Sequence, residues 1–398
     1  MRGCPRLRVL CTSSIRLANV FVKPSRRPYS SKNHERVSVR CGSAGHVTID
    51  LINIANQSSL SPLFIQFPPF PMSNGQPASL PKFLQDRPVA SINYRWDSYD
   101  PGMTESLPLE GVWPMPIHDT LIAYNWLVDN LAPEGIQRRD IYVYGSYLGA
   151  SLASSLALTE THPHLRFAVR GLVSYNGIYN WTMFFPDHPV NRPAKRAKSS
   201  GCIYRPAEGT YLHFLQEQLP IYFQSPTDMF DTFASPSLFF HNPGLRIPSS
   251  YNMSEEDAVA IKALTNPDAT LLTPTKTPRK SRLVYPPRKS TLKIPETLLL
   301  YDTPAVALPS KGGRRRRRKP GGNSLETQAE ELAEMMQRSV EKVELKERSQ
   351  WDDDLGSLED EKERRIKVRE AGNESKMLEM GESGEQFVDE WLGERIRS

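Results

Sequence analysis

The segment Ile141-Tyr142-Val143-Tyr144-Gly145-Ser146-Tyr147-Leu148-Gly149-Ala150-Ser151 holds the residues closest to chemistry in this chain. β-Branched and aromatic side chains run into Gly-x-x-x-Gly, and small residues continue from Ser151 to Leu158. That is the pattern of a strand, a sharp turn and a helix packed closely on the strand. A turn of this kind is a nucleophile elbow, where the flanking glycines leave room for a strained central residue. Here the central residue is Tyr147, bulkier than a serine and a poorer acyl carrier, because a phenyl ester is too good a leaving group. Ser146 is adjacent. A one-residue shift on a tight turn points the side chain elsewhere, so Ser146 is read as a turn residue, with a displaced nucleophile as the alternative. The eight histidines are His34, His46, His118, His162, His164, His188, His213 and His241, and none follows position 241.

The elements that would position this turn can be read from periodicity. Val47 to Ile54 alternates at period two, an antiparallel or edge strand, and Leu63 to Phe67 is a short apolar run of the kind buried on both faces. Pro88 to Arg95 is a third strand. Ile117, Leu121, Tyr124, Val128 and Leu131 then fall on one helical stripe. After the elbow strand comes a fifth, Gly171 to Tyr175, and a further buried one at Glu296 to Tyr301. Strands alternating with helices predict an α/β chain with a doubly wound, mostly parallel sheet and a site at the carboxyl ends of its strands. A cap insertion with a proline-rich excursion is expected over about 180–293, a basic loop over 311–322 and a charged mobile loop over about 349–384. Asn323 is read as the N-cap of a helix with Glu326 three residues on, Val340 to Leu345 as the last strand, and Phe387 to Arg395 as a closing amphipathic helix.

At 398 residues and 38% hydrophobic, the chain has enough material for a full core, in one large domain over 43–398. From Asn323 onward acids outnumber bases by 22 to 12, so the body is basic and the end acidic, a balance that neither demands nor excludes nucleic acid. The first 34 residues lack acids but carry eight Lys or Arg among leucines, isoleucine and serines. This reads as a mitochondrial presequence over 1–32, with matrix processing near Tyr29 in Arg27-Pro28-Tyr29-Ser30-Ser31; a basic N-terminal tail is the alternative. Its removal leaves Cys41 and Cys202, too few for a disulfide framework or a zinc site. No cofactor or metal is called for, and no stretch reaches the ~18 apolar residues of a transmembrane helix.

Two further features bear on partners. Arg314, Arg315, Arg316, Arg317 and Arg318 form a run that suits an acidic protein, anionic lipid or RNA, or else is a solvated insertion. The cap aromatics Tyr204, Tyr211, Phe214, Tyr222, Phe223, Phe230 and Phe233 either line a pocket for a small apolar ligand or form the cap's own core.

From Val47 to the C-terminus the chain resembles the α/β-hydrolase family, and more narrowly its esterase and lipase branch related to hormone-sensitive lipase. Ser91-Ile92-Asn93-Tyr94-Arg95, Trp113 to Asp119 with Ala123 to Leu127, the elbow, Ala234 to Leu238, Ile294 to Leu300 and Gly384 to Val388 carry the resemblance, in matching order. It implies a serine nucleophile, a late histidine base, an acid orienting that histidine, and backbone N–H groups that hold the oxyanion. Tyr147 stands at the nucleophile position, and the loop expected to bear the histidine has none. Where the family has His-Gly-Gly-Gly, this chain reads Phe67-Pro68-Pro69-Phe70-Pro71, and proline has no N–H. Only Asp302, after Leu300-Tyr301, keeps a suitable type, as residual acid or as a loop cap. The expected function is therefore that of a mitochondrial pseudo-hydrolase, working through ligand or partner binding on a degenerate elbow of Gly145, Ser146, Tyr147 and Gly149. The alternatives are an active esterase with a rearranged site, using Ser146 and a cap histidine such as His188 or His213, and an interaction module using the arginine loop.

Overall fold

The computed structural model describes residues 34–58, 60–71, 77–96, 111–186, 188–191, 206–241, 285–304, 322–345, 358–375 and 378–396. Eight strands form one sheet in the order β1-β2-β4-β3-β5-β6-β7-β8. They are β1 His34–Arg40, β2 His46–Ile52, β3 Leu63–Phe67, β4 Val89–Asn93, β5 Arg139–Ser146, β6 Phe167–Tyr175, β7 Glu296–Thr303 and β8 Ile366–Asn373. β2 runs antiparallel to both β1 and β4, and every pairing from β4 to β8 is parallel. β3 and β4 are buried throughout, as their uninterrupted apolar runs require. After β3 the chain moves outward to β4, then returns through α1 (Met115–Leu131) to β5 on β3's other side. This reversal puts the topological switch point at the carboxyl ends of β3 and β5, the place where open α/β sheets bind ligands.

Helices cover both faces. α2 (Leu148–Glu160) lies on the side of Gly145, whose missing Cβ lets Ala153 approach; Trp391 of the last helix, α6 (Glu382–Ile396), packs edge-on against Tyr142 from the other side at 6.2 Å. The molecule thus has the doubly wound α/β-hydrolase fold. Arg95, just past β4, grips the fully buried Asp119 of α1 through two side-chain hydrogen bonds (2.6 and 3.0 Å) and its own N–H (2.9 Å). That pair fixes α1 against the sheet, so these two residues of the resemblance serve the fold. In the cap region α3 (Tyr211–Tyr222) follows a Thr210 N-cap.

Four expectations are corrected. β1 precedes the first strand read from the sequence and covers β2, which is antiparallel as expected but internal, not at the edge. Ser324, not Asn323, caps α4 (Leu325–Ser339), in a reciprocal box with Thr327; Asn323 Oδ1 instead accepts from Gln328. Val340–Leu345 is a wide π-type helical turn, whose five-residue spacing puts Val340 and Leu345 on one buried face. The last strand lies inside the segment expected to be mobile: α5 (Leu358–Arg365) leads directly into β8. β8 reads as polar because it is the sheet edge, where only Ile366 and Ala371 are buried and charged neighbours discourage further pairing. The presequence, the arginine run, most of the proline-rich excursion and Tyr204 lie outside the described residues.

Candidate functional site: a filled nucleophile elbow

β5 pairs with β3 so that Gly145 stands opposite Phe67, which brings the elbow and the Pro68-Pro69 turn side by side. Tyr147 has φ 52° and ψ −115°, a region a non-glycine residue enters only when its surroundings impose it. They do so through its N–H, which donates to Tyr175 O at 2.9 Å, and its carbonyl, which accepts from Ala150 N–H at 3.2 Å. The two glycines are needed for clearance. A Cβ at Gly145 would lie 2.5 Å from Gly149 O, and one at Gly149 would lie 2.4 Å from Pro68 O. The backbone of an elbow is therefore intact.

Its side chain is not presented to anything. Tyr147 is fully buried, with its ring 4.6 Å from that of Tyr211, 5.6 Å from Tyr175 and 6.4 Å from Phe70. Its hydroxyl accepts a hydrogen bond from Asn176 Nδ2 at 3.1 Å. Burial pushes the phenol pKa up to about 12, against the opposing effect of the Asn176 bond, so at neutral pH the group is protonated and enclosed.

Asp302 is the residue that keeps the acid's type and place, at the carboxyl end of β7. Its carboxylate accepts from Tyr175 OH at 2.5 Å and from Asn176 Nδ2 at 3.0 Å, while its N–H donates to Asn176 Oδ1 at 2.7 Å. It is no loop cap: it lies within β7 and joins two strand ends through Asn176. Burial and the neighbouring Asp302 push the Tyr175 phenol far up. Locating β8 narrows the expected histidine loop to the residues between Asn373 and Glu382, where the sequence has no imidazole. The loop supplies Glu374, whose Oε1 accepts from Tyr211 N–H at 2.6 Å and whose pKa is raised by burial and, secondarily, by Asp302.

The turn after β3 meets the elbow through its carbonyl oxygens. The N–H after the nucleophile position, Leu148 N, donates to Pro69 O at 3.3 Å, and Pro68 O accepts from Tyr94 OH at 2.9 Å. The turn that supplies N–H donors in hydrolases here supplies carbonyl oxygens, which would repel a developing alkoxide.

Ser146 is buried beside the Tyr144 phenol, which packs edge-on against Phe83. The cap histidines are engaged in their own segments: His188 Nδ1 accepts from Val190 N–H, and His213 faces Glu217 at 4.0 Å. Among the cap aromatics, Tyr211, Tyr222 and Phe223 are core, with Trp96 packed on Tyr222 and Phe223 and Trp181 on Phe223, whereas Phe214 and Phe233 are exposed. No group of three or more metal-ligating side chains gathers among the described residues. Sequence reading missed Asn176, Tyr175 and Glu374; the signal for Asn176 is its place as the first polar residue past β6, beside the elbow.

No family model matches the sequence, and no curated protein does. Among solved structures the chain is similar to carboxyl esterase 2 of the mycorrhizal fungus Tuber melanosporum, at 14% identity and a TM-score of 0.47, over 94% of this chain and 88% of that one. A hyperthermophilic esterase of the archaeon Pyrobaculum calidifontis gives 14% and 0.47, over 92% and 83%. A hormone-sensitive lipase from a metagenome library gives 11% and 0.42, over 92% and 87%. At these values the likeness concerns the course of the chain and carries nothing about activity.

Proposed function

We propose that this protein is a mitochondrial pseudo-hydrolase of the esterase and lipase branch, which keeps the α/β-hydrolase scaffold, performs no ester chemistry and acts by binding. The observation that carries this reading is the hydrogen bond from Leu148 N–H to Pro69 O beside a fully buried Tyr147. Nucleophile, base and oxyanion donors are replaced together, and each replacement takes part in packing or hydrogen bonding of its own. Removing a single oxyanion donor costs on the order of a hundred- to a thousandfold in rate, and here that loss adds to the missing base. The basic, acid-free N-terminus with Arg27 to Ser31 supports import into the matrix.

The purified chain is expected to leave short-chain p-nitrophenyl esters unhydrolysed and to resist labelling by a fluorophosphonate. Tyr147→Ser is expected to stay equally inactive, because a serine there still meets no histidine and no free donor. Turnover by the wild-type chain that disappears in Ser146→Ala would establish the rearranged esterase instead. A C-terminally tagged chain should fractionate with protease-protected mitochondrial protein.

A further inference from the structure

On the face of the sheet opposite α2, a row of polar side chains crosses five strands. Arg36 stands in register with Asp50, Asp50 with Ser91, Ser91 with Gln66 and Gln66 with Tyr144, so all five share one side of β1, β2, β4, β3 and β5. Asn93, two residues past Ser91 on β4, lies on the same face. A sheet face turned to the core is normally apolar, yet Asp50 is fully buried, and Gln66, Ser91 and Asn93 are 1%, 0% and 8% exposed. At the Tyr144 end the cover is Phe83, from the short helical turn Lys82–Leu84, with the rings 5.1 Å apart.

One end of this row is settled. The Asp50 carboxylate accepts from Arg36 Nε at 2.6 Å and Nη2 at 2.8 Å, from His34 Nε2 at 3.0 Å and from Asn93 Nδ2 at 2.8 Å. The middle is not: Gln66 Oε1, Ser91 Oγ and Asn93 Oδ1 are buried with no hydrogen-bond partner among the described residues. Turning either amide over does not help. Asn93 would then set its oxygen against the Asp50 carboxylate, and Gln66, whose Nε2 donates to Ser79 O at 3.0 Å, would set oxygen against oxygen. The two carbonyl oxygens are therefore fixed, that of Asn93 on the side away from β2. Ser91 neighbours both, two residues from Asn93 along β4 and directly across from Gln66 on β3.

We propose that Gln66, Ser91 and Asn93 hold one internal water molecule, which bridges β3 to β4. Two fixed acceptors and one hydroxyl able to donate match a water that gives two hydrogen bonds and receives one, a usual complement for a buried water. An ammonium group would leave the Ser91 O–H without an acceptor. A metal cation would add a buried charge with no counter-ion, since Asp50 is already matched by Arg36. The bridge matters for the elbow. Gln66 directly precedes Phe67-Pro68-Pro69, so the water holds the strand end from which Pro69 O meets Leu148 N–H. This site stands whether or not the protein hydrolyses anything.

A high-resolution crystal structure of the full chain tests this directly. The expected result is one density peak within hydrogen-bond distance, about 2.7–3.2 Å, of all three atoms. In solution, oxygen-17 relaxation dispersion counts the long-lived internal waters. Gln66→Met with Ser91→Val removes two of the partners and fills the space, so the count should fall by one while the far-ultraviolet circular dichroism stays that of the parent. Three results overturn the proposal. One is a structure in which protein donors reach Gln66 Oε1 and Asn93 Oδ1; another is a peak with contacts of only about 2.0–2.6 Å, as for a metal ion. The third is a water count that the double substitution leaves unchanged.

Discussion

At the carboxyl end of the sheet, Tyr147, Asn176, Asp302 and Tyr175 hydrogen-bond to one another under a layer of aromatic rings. At the amino end, Ile136, Leu165 and Arg166 project into solvent from loops that are themselves tied down. The first end is where this architecture places ligands, yet it behaves as core; the second is where the architecture places only connections, yet it is dressed as a surface. A working site must hold polar groups ready and unpaired for a substrate, at a cost in stability. Here those groups satisfy each other. The elbow's strain, retained in the φ of Tyr147, is offset by the packing of its ring.

The sharpest way to break that contrast is Tyr147→Ala. If the ring is core, its removal should cost about 3–5 kcal/mol, read as a lower denaturant midpoint at unchanged slope. A cost under about 1 kcal/mol would mean that the pocket was open all along. Asp302→Ala comes next. It strands one donor of Asn176 in a buried place and leaves Tyr175 OH only its longer bond to Glu379 O at 3.2 Å, and should cost roughly 2–4 kcal/mol. Tyr175→Phe in the same background should recover part of the loss, because it removes the hydroxyl left with the weaker bond; additivity of the two changes would show that they do not share a network.

The scaffold was legible because its signals are local. Runs such as Leu63 to Phe67 and the alternation around Val47 each carry their own burial pattern. The absences were legible too, since a missing late histidine and prolines at 68 and 69 need no coordinates. The contacts around Tyr147 were not. Nothing in the order of residues says that Asn176 would join Tyr147 to Asp302, 126 positions further along, or that Leu148 N–H would turn to Pro69 O. β8 was missed for a related reason: an edge strand keeps its charges outward, so Ile366-Lys367-Val368-Arg369-Glu370 looks like a solvated loop until β7 is beside it.

The smallest expected effect isolates the tyrosine's hydroxyl. Tyr147→Phe keeps the ring, and Asn176 keeps its bond to Asp302, so at neutral pH the loss should be only about 1 kcal/mol. The two proteins should then diverge in alkali. An unfolded tyrosine ionises near pH 10, whereas the buried phenol does so only at about 12. Its protonated form therefore contributes fully below about pH 10, and this contribution is lost as pH rises through the folded value. Every other buried tyrosine is common to both proteins and cancels in the difference. Measured from pH 8 to 11 by urea unfolding, the gap favouring wild type should shrink or reverse. A gap that stays constant to pH 11 would show that Tyr147 ionises as freely in the native state as in the unfolded chain, and the carboxyl end would then be an open site after all.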